Sequence, residues 1–146
     1  MKTQRLIFLA PLLLLALPAG AQGVSGGKLP TRWDKDVSAT NPLPEYPRPQ
    51  MVRQDWQSLN GSWDYALADK AVTTAPAAYD GHILAPYPYE SALSGVAKPS
   101  IPGQRLWYHR TFTVPAGWKG KNVLIHFGAV NWDSTVSVNG QAIGTH

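Results

Sequence analysis

The chain has 146 residues, enough for one domain with a modest hydrophobic core. Its 13 Lys and Arg and 9 Asp and Glu give a formal net charge of +4. The Lys and Arg residues form no cluster along the sequence, so nucleic-acid binding is not expected. The lack of cysteine excludes disulfides and thiolate chemistry. The four histidines show no metal-ligand spacing on one element, and we predict no cofactor and no metal site.

Residues 1–21 have the organisation of a secretory signal peptide. Lys2 and Arg5 precede an apolar run, and the small residues Ala19-Gly20-Ala21 form a cleavage site before Gln22. The apolar run is shorter than the roughly 20 residues that span a bilayer, which disfavours a membrane anchor. Removal of Lys2 and Arg5 lowers the 13 basic residues to 11 against 9 acidic ones, a net charge of +2. We therefore expect an exported protein, periplasmic or extracellular, with a leader compatible with bacteria.

Residues 22–52 are predicted to form an extended arm or linker, because Gly and Pro recur while aliphatic residues are few. Trp33 and Tyr46 are candidates for packing this arm onto the domain that follows. Glu45 also lies in the arm, beside nothing that would hold its carboxyl group in place.

The domain proper, residues 53–146, is expected to open with two strands and a long excursion. One strand is predicted over residues 62–67 and a second over residues 82–85. The side chains that share a face of the first strand are Trp63, Tyr65 and Leu67. Residues 86–104 are too many for a simple turn, and loops of that length are often functional or cover an edge. We expect this excursion to lie over one end of a sandwich.

Residues 106–146 alternate between two faces in runs joined by compact turns, which is the pattern of a β-meander. In the first run the residues on one face are Tyr108, Arg110, Phe112 and Val114, and those on the other are Trp107, His109, Thr111 and Thr113. A second strand is predicted over residues 123–127 after a turn. Alternation resumes over residues 134–138, and Asn139-Gly140 suits a type I′ hairpin turn. Residues 141–146 should therefore return antiparallel.

Several segments, in order, resemble the amino-terminal sugar-binding domain of glycoside hydrolase family 2, which includes β-galactosidases, β-glucuronidases and β-mannosidases. The segments are L-N-G-S-W-D-Y at 59–65, A-P-Y-P-Y-E-S-A-L-S-G at 85–95, W-Y-H-R-T-F-T-V-P at 107–115, V-L-I-H-F-G-A-V at 123–130 and V-S-V-N-G-Q-A-I-G at 136–144. The resemblance implies an all-β fold, an antiparallel β-sandwich of the galactose-binding-like jelly-roll type. The family's sequence continues with further strands, so we expect this sandwich to be incomplete at its carboxyl end.

The resemblance also implies a function, as the amino-terminal part of a secreted retaining enzyme that hydrolyses β-glycosides. Retaining glycosidases use two carboxyl groups about 5–5.5 Å apart, and the family carries them on a later TIM barrel. We therefore assign no catalytic residue to this chain and expect it to be inactive alone. The partners implied are a β-glycoside substrate and the carboxyl-terminal domains of a longer parent chain, with no membrane span after signal removal.

Two places are candidates for sugar contact. Asn131, Trp132 and Asp133 combine an aromatic ring with an amide and a carboxylate, which suits pyranose recognition. The alternative is structural, because Asn and Asp stabilise turns and Trp fills sandwich edges. Glu90 has aromatic neighbours that would bury it and raise its pKa. We favour for it a structural role, capping backbone amides or pairing with an Arg such as Arg105 or Arg110.

Arg110 and the histidines are given structural roles. A half-buried Arg110 needs a partner, and we predict an ion pair with Asp133 or Glu90. His109 and His126 are predicted to face each other across neighbouring strands, as packing rather than as a site.

Two other hypotheses remain open. One is a free-standing carbohydrate-binding module that docks polysaccharide through Trp107, Trp118 or Trp132. The other is a secreted β-sandwich adhesion or scaffold domain, which the strand pattern alone permits.

An unfinished sheet exposes unpaired backbone groups and an apolar face. We therefore expect residues 22–146 alone to be marginally stable or prone to aggregate. Differential scanning calorimetry combined with light scattering checks this expectation, and a cooperative transition of a soluble monomer would refute it.

Overall fold

The structure, a computed structural model, describes residues 31–146. The predicted signal peptide, its cleavage before Gln22 and the start of the arm lie outside the described residues. Within residues 31–146 there are five β-strands and four short 3₁₀ turns but no α-helix, so the predicted all-β class is confirmed. In the same part of the chain, no helix has the length and apolar character needed to cross a bilayer.

Three strands form an antiparallel sheet in the order β2-β1-β3. They are β1 (Gly61–Asp69), β2 (Gly81–Ala85) and β3 (Gln104–His109). The first two confirm the strands predicted over residues 62–67 and 82–85. Because β1 is central, each of its residues has a neighbour on both sides: Tyr65 lies opposite Gly81 of β2 and Tyr108 of β3.

The last two strands form a separate antiparallel hairpin, β4 (Thr135–Val138) and β5 (Gln141–Thr145). Asn139 and Gly140 have φ angles of 50° and 79°, which confirms the predicted turn with positive φ at both central residues. The register shifts by one residue between Val136 and Ser137, a bulge within the hairpin.

The strand predicted from residue 107 to residue 114 ends early, at His109. In the register that sets Asp64 opposite His109, Arg110 would lie opposite Trp63 of β1, but no ladder forms there. Near this point the Leu59 carbonyl accepts from Trp63 Nε1 at 2.8 Å and from Arg110 Nη1 at 2.9 Å. The alternation of residues 110–114 therefore does not correspond to a strand.

The strand predicted over residues 123–127 was wrong, since these residues have no strand conformation. Alternating apolar and polar residues can give a segment two faces, but a strand also needs a neighbouring strand for its backbone hydrogen bonds. Side chains contact the segment before β1 at two places: Lys121 Nζ lies 2.6 Å from Asp55 Oδ2, and the His126 ring lies 6.1 Å from the Trp56 ring.

The core lies on one face of the three-stranded sheet, beneath the excursion. Ile83 is 1% exposed and packs with Tyr65 and Tyr89, whose rings meet edge to face at 5.7 Å. Tyr89 belongs to the excursion, which thus folds back over the sheet and contributes a core residue. A short 3₁₀ turn, Ala92–Ser94, and the half-buried Val96 complete this cover.

The described residues form two separate sheets and do not close a sandwich. Many large apolar side chains after β3 remain substantially exposed, namely Phe112, Val114, Val123, Leu124, Phe127, Val130, Trp132 and Ile143. These side chains therefore have few packing partners among residues 31–146.

Candidate functional site

The predicted sugar-contact tripeptide lies on an exposed loop that leads into β4. The Trp132 side chain is 74% exposed, and Asn131 and Asp133 are also exposed. The loop is tied to the end of the chain, because His146 Nδ1 lies 3.2 Å from the Trp132 carbonyl oxygen. An aromatic ring flanked by an amide and a carboxylate is thus open to solvent and free to meet a ligand.

Glu90 is an exposed residue of the excursion and does not pair as predicted. Within residues 31–146 its carboxylate forms no ion pair with Arg105 or Arg110 and caps no backbone amide. Its charge acts on Tyr108: partial burial is the larger cause, and the Glu90 charge the smaller, of a raised Tyr108 pKa. The structure records no contact that joins Glu90 to the Trp132 loop.

Arg110 has backbone partners in place of the predicted ion pair with Asp133 or Glu90. Its Nη1 donates to the carbonyl oxygens of Leu59 at 2.9 Å and Asn60 at 3.0 Å. The guanidinium carbon lies 5.9 Å from the centre of the Trp63 ring. The carbonyl groups supply the acceptors that a half-buried guanidinium needs, so the predicted ion pair is wrong.

A polar cluster on the opposite face of the sheet was not predicted. Asp64 of β1 lies between His82 of β2 and His109 of β3, with Oδ1 2.9 Å from His82 Nδ1 and Oδ2 3.1 Å from His109 Nδ1. Tyr79 stacks on the His109 ring at 5.1 Å with an angle of 17° between the planes. The predicted pairing of His109 with His126 is therefore wrong.

The Asp64 cluster borders a shallow hollow of about 310 Å³. Besides Asp64 and the two imidazoles it is lined by Ser62, Arg110 and Thr111. In residues 31–146 no group of three or more His, Asp or Glu side chains is arranged to hold a metal ion. The cluster bridges three strands and presents polar groups to solvent, which is the behaviour of a cross-strand ion pair.

The environment of Asp64 predicts a pH dependence of stability. The hydrogen bond from His109 is the largest cause of an Asp64 pKa below its ordinary value of 3.8; desolvation opposes it, and the charges of His82 and His109 add to it. A folded-state pKa below the unfolded value stabilises the protein above pH 3.8, and this contribution is lost as the pH falls further. In urea titrations, the wild-type midpoint should therefore fall below that pH.

Asp64→Asn removes the ionisable group and should reduce the fall of the urea midpoint in this acidic range. Asp133→Asn changes an exposed loop aspartate and should leave that fall unchanged. An Asp64→Asn protein that loses stability with acid as steeply as the wild type would contradict the assignment.

No protein-family model matches the chain, and no curated protein matches it.

Proposed function

We propose that this chain is the β-domain of a glycoside hydrolase family 2 enzyme, exported and acting on β-glycosides, in which it supports a catalytic barrel and forms one wall of the sugar pocket. The supporting observation is that motif residues far apart in sequence meet at one arginine. Arg110, from the W-Y-x-R-x-F segment, binds the carbonyl groups of Leu59 and Asn60, from the L-N-G-x-W segment.

The glycine of the same motif has a matching role. Gly61 has a φ of +127°, and a Cβ added there would lie 3.0 Å from Arg110 Nη1. A side chain at this position would meet the guanidinium that joins the two motifs. The contact packs a glycine of one segment against an arginine 49 positions later in the other, which supports the resemblance.

The excursion motif is also explained residue by residue. Ser91 Oγ accepts from the Leu93 amide, and Gly95 ends the turn with a φ of 82°. The Ser94 hydroxyl, 1% exposed, lies 2.7 Å from the Ser91 carbonyl and accepts from the Val96 amide at 3.1 Å. The Ser94 hydroxyl also lies 3.3 Å from the carbonyl oxygen of Tyr89, the core residue of this segment, so the motif supports the cover over the sheet.

The catalytic carboxyl pair is proposed to lie outside this chain. Its two glutamates, Glu45 and Glu90, stand on the arm and on the excursion, and both are exposed. Retaining hydrolysis needs two enclosed carboxyl groups about 5–5.5 Å apart. The exposed apolar side chains between Phe112 and Ile143 offer a surface against which further domains pack.

A free-standing module that docks polysaccharide along an aromatic strip is less well supported. Of the three tryptophans proposed for that strip, only Trp132 is mostly exposed. Trp118 is half-buried, and the indole nitrogen of Trp107 is buried without a hydrogen-bond partner. A single exposed ring suits a contact at the rim of a pocket better than a flat platform.

The test compares two polypeptides on chromogenic β-galactoside, β-glucuronide and β-mannoside. The 146-residue chain should hydrolyse none of them. A polypeptide extended along the reading frame past His146 should hydrolyse one, and replacement of either of two barrel glutamates by glutamine should abolish that turnover. Turnover by the 146-residue chain, or a stop codon after His146 with a compact monomeric product, would overturn the proposal.

A further inference from the structure

Three dipeptides in residues 31–146 join an Asn or Asp to a glycine: Asn60-Gly61, Asp80-Gly81 and Asn139-Gly140. Such dipeptides are chemically labile, because the backbone nitrogen of the glycine can attack the side-chain carbonyl carbon of the residue before it. Glycine has no side chain to hinder that attack, and its backbone adopts the conformations that ring closure needs. The structure holds the three dipeptides in different ways.

Hydrogen bonds restrain the side chain in two of these dipeptides. Asn60 Nδ2 donates to the carbonyl oxygens of Pro42 and Leu43, each at 3.3 Å, and the glycine after it is buried. Asp80 Oδ2 accepts from the Leu67 amide at 2.8 Å. Attack by the glycine nitrogen would have to break these hydrogen bonds, which opposes the reaction at both places.

The Asn139-Gly140 dipeptide is open to reaction. Both residues are exposed at the tip of the β4-β5 hairpin. Within residues 31–146 the structure records no hydrogen bond for the Asn139 side-chain amide or for the Gly140 backbone nitrogen. The hairpin contributes no residue to the buried core, and every residue of β5 is exposed. The turn can therefore open without disturbing the core.

We propose that Asn139 is a modification site at which the side-chain amide converts to a carboxylate through a cyclic imide. The Gly140 nitrogen loses its proton to base in the solvent and bonds to Asn139 Cγ, and the side-chain nitrogen leaves as ammonia. Water then opens the five-membered ring. Breaking the bond from nitrogen to Cγ gives aspartate, and breaking the bond from nitrogen to the backbone carbonyl carbon gives isoaspartate.

The overall reaction consumes one water and releases one ammonia, with no oxidation or reduction. It needs no enzyme and does not rest on the proposed function. Either product adds a negative charge at the tip of the hairpin.

The two products differ in their effect on the hairpin. Isoaspartate routes the main chain through Cγ and so adds one methylene to the turn that sets Val138 opposite Gln141. Because the register of a hairpin depends on its turn, isoaspartate should weaken the pairing of β4 with β5. Aspartate should preserve the pairing, since Asp-Gly also suits this turn.

The test incubates the full chain in mildly alkaline buffer made with oxygen-labelled water. Tryptic peptides 54–70 and 122–146, analysed by mass spectrometry with fragmentation, then report label at Asn60 and at Asn139 separately. Asn139 should convert about tenfold or more faster than Asn60. This factor corresponds to about 1.4 kcal/mol, the order of the hydrogen bonds that restrain Asn60.

Two internal controls separate the causes. Asn131 is also exposed and lies in the same tryptic peptide, but Trp132 follows it, so it should convert more slowly than Asn139. In concentrated urea, Asn60 and Asn139 should convert at similar rates, because the hydrogen bonds that restrain Asn60 are absent from the unfolded chain.

Four results would overturn the proposal. They are an unmodified Asn139 in a sample whose Asn60 has converted, equal rates at these two residues in native buffer, conversion of Asn131 as fast as that of Asn139, and an Asn139 preference that persists in urea. Amide hydrogen exchange over residues 135–145 of the separated products should be fastest in the isoaspartate form. Equal exchange in the unmodified, aspartate and isoaspartate forms would overturn the proposed effect on the hairpin.

Discussion

Replacing Ile83 with alanine is expected to lower the free energy of unfolding by about 2–5 kcal/mol. Ile83 is 1% exposed and stands at the centre of the core, between Tyr65 of the central strand and Tyr89 of the excursion. Truncation leaves a cavity between a strand and the segment that covers it. The loss is a large share of the 5–15 kcal/mol that stabilises an ordinary domain.

Ile143→Ala provides the matched control. Ile143 also stands in a strand, β5, but is 54% exposed, so its truncation should change stability by no more than about 0.5 kcal/mol. Urea unfolding followed by tryptophan fluorescence reports both variants, with Trp63 packed against the core as the local probe. Equal effects of the two substitutions would show that the excursion does not close a core over Ile83.

Some elements of the fold could be predicted from the sequence, and others could not. Alternation located β1, β2 and the hairpin, since each uses a local pattern or a turn dipeptide such as Asn139-Gly140. Alternation did not reveal that β1 is the central strand, because pairing order depends on contacts between residues far apart in the chain. The excursion was predicted from its length alone, and nothing in that length indicated that Tyr89 enters the core.

The Asp64 cluster was missed for the same reason. Asp64, His82 and His109 are separated by 18 and 27 positions along the chain, and only the order β2-β1-β3 brings them into one row. The spacing rule that we applied to histidines considered ligands on one element, and the cross-strand pair that we predicted joined His109 to His126. A search for polar residues on the outward face of every predicted strand would have found all three.

For Arg110 the need for hydrogen-bond acceptors was predicted correctly, but the predicted partner was wrong. Its alternation with Tyr108 and Phe112 indicated a half-buried guanidinium that requires acceptors. We predicted carboxylate acceptors, but the acceptors are the carbonyl groups of Leu59 and Asn60, about 50 residues earlier in the chain. The order of the segments does not reveal this contact, because it depends on the pairing of β1 with β3.

Replacing Gly61 with alanine is expected to lower the free energy of unfolding by about 1–3 kcal/mol. Two causes act together: a φ of +127° that side chains rarely adopt, and a new Cβ 3.0 Å from Arg110 Nη1. The Arg110 guanidinium can move away from the new Cβ because its side chain is flexible. That movement, however, breaks its hydrogen bonds to the Leu59 and Asn60 carbonyls, at 2.9 Å and 3.0 Å.

A double-mutant cycle separates these causes. If the guanidinium contributes, Gly61→Ala should cost less in an Arg110→Ala background than in the wild type, so that the double variant is more stable than additivity predicts. If only the backbone matters, the two losses should add. Gly144→Ala is the control, a strand glycine whose added Cβ meets nothing within 4 Å, and it should be neutral or slightly stabilising. Losses at Gly61 no larger than at Gly144 would remove the physical reason for joining the two motifs into one unit, and with it the main support for the hydrolase assignment.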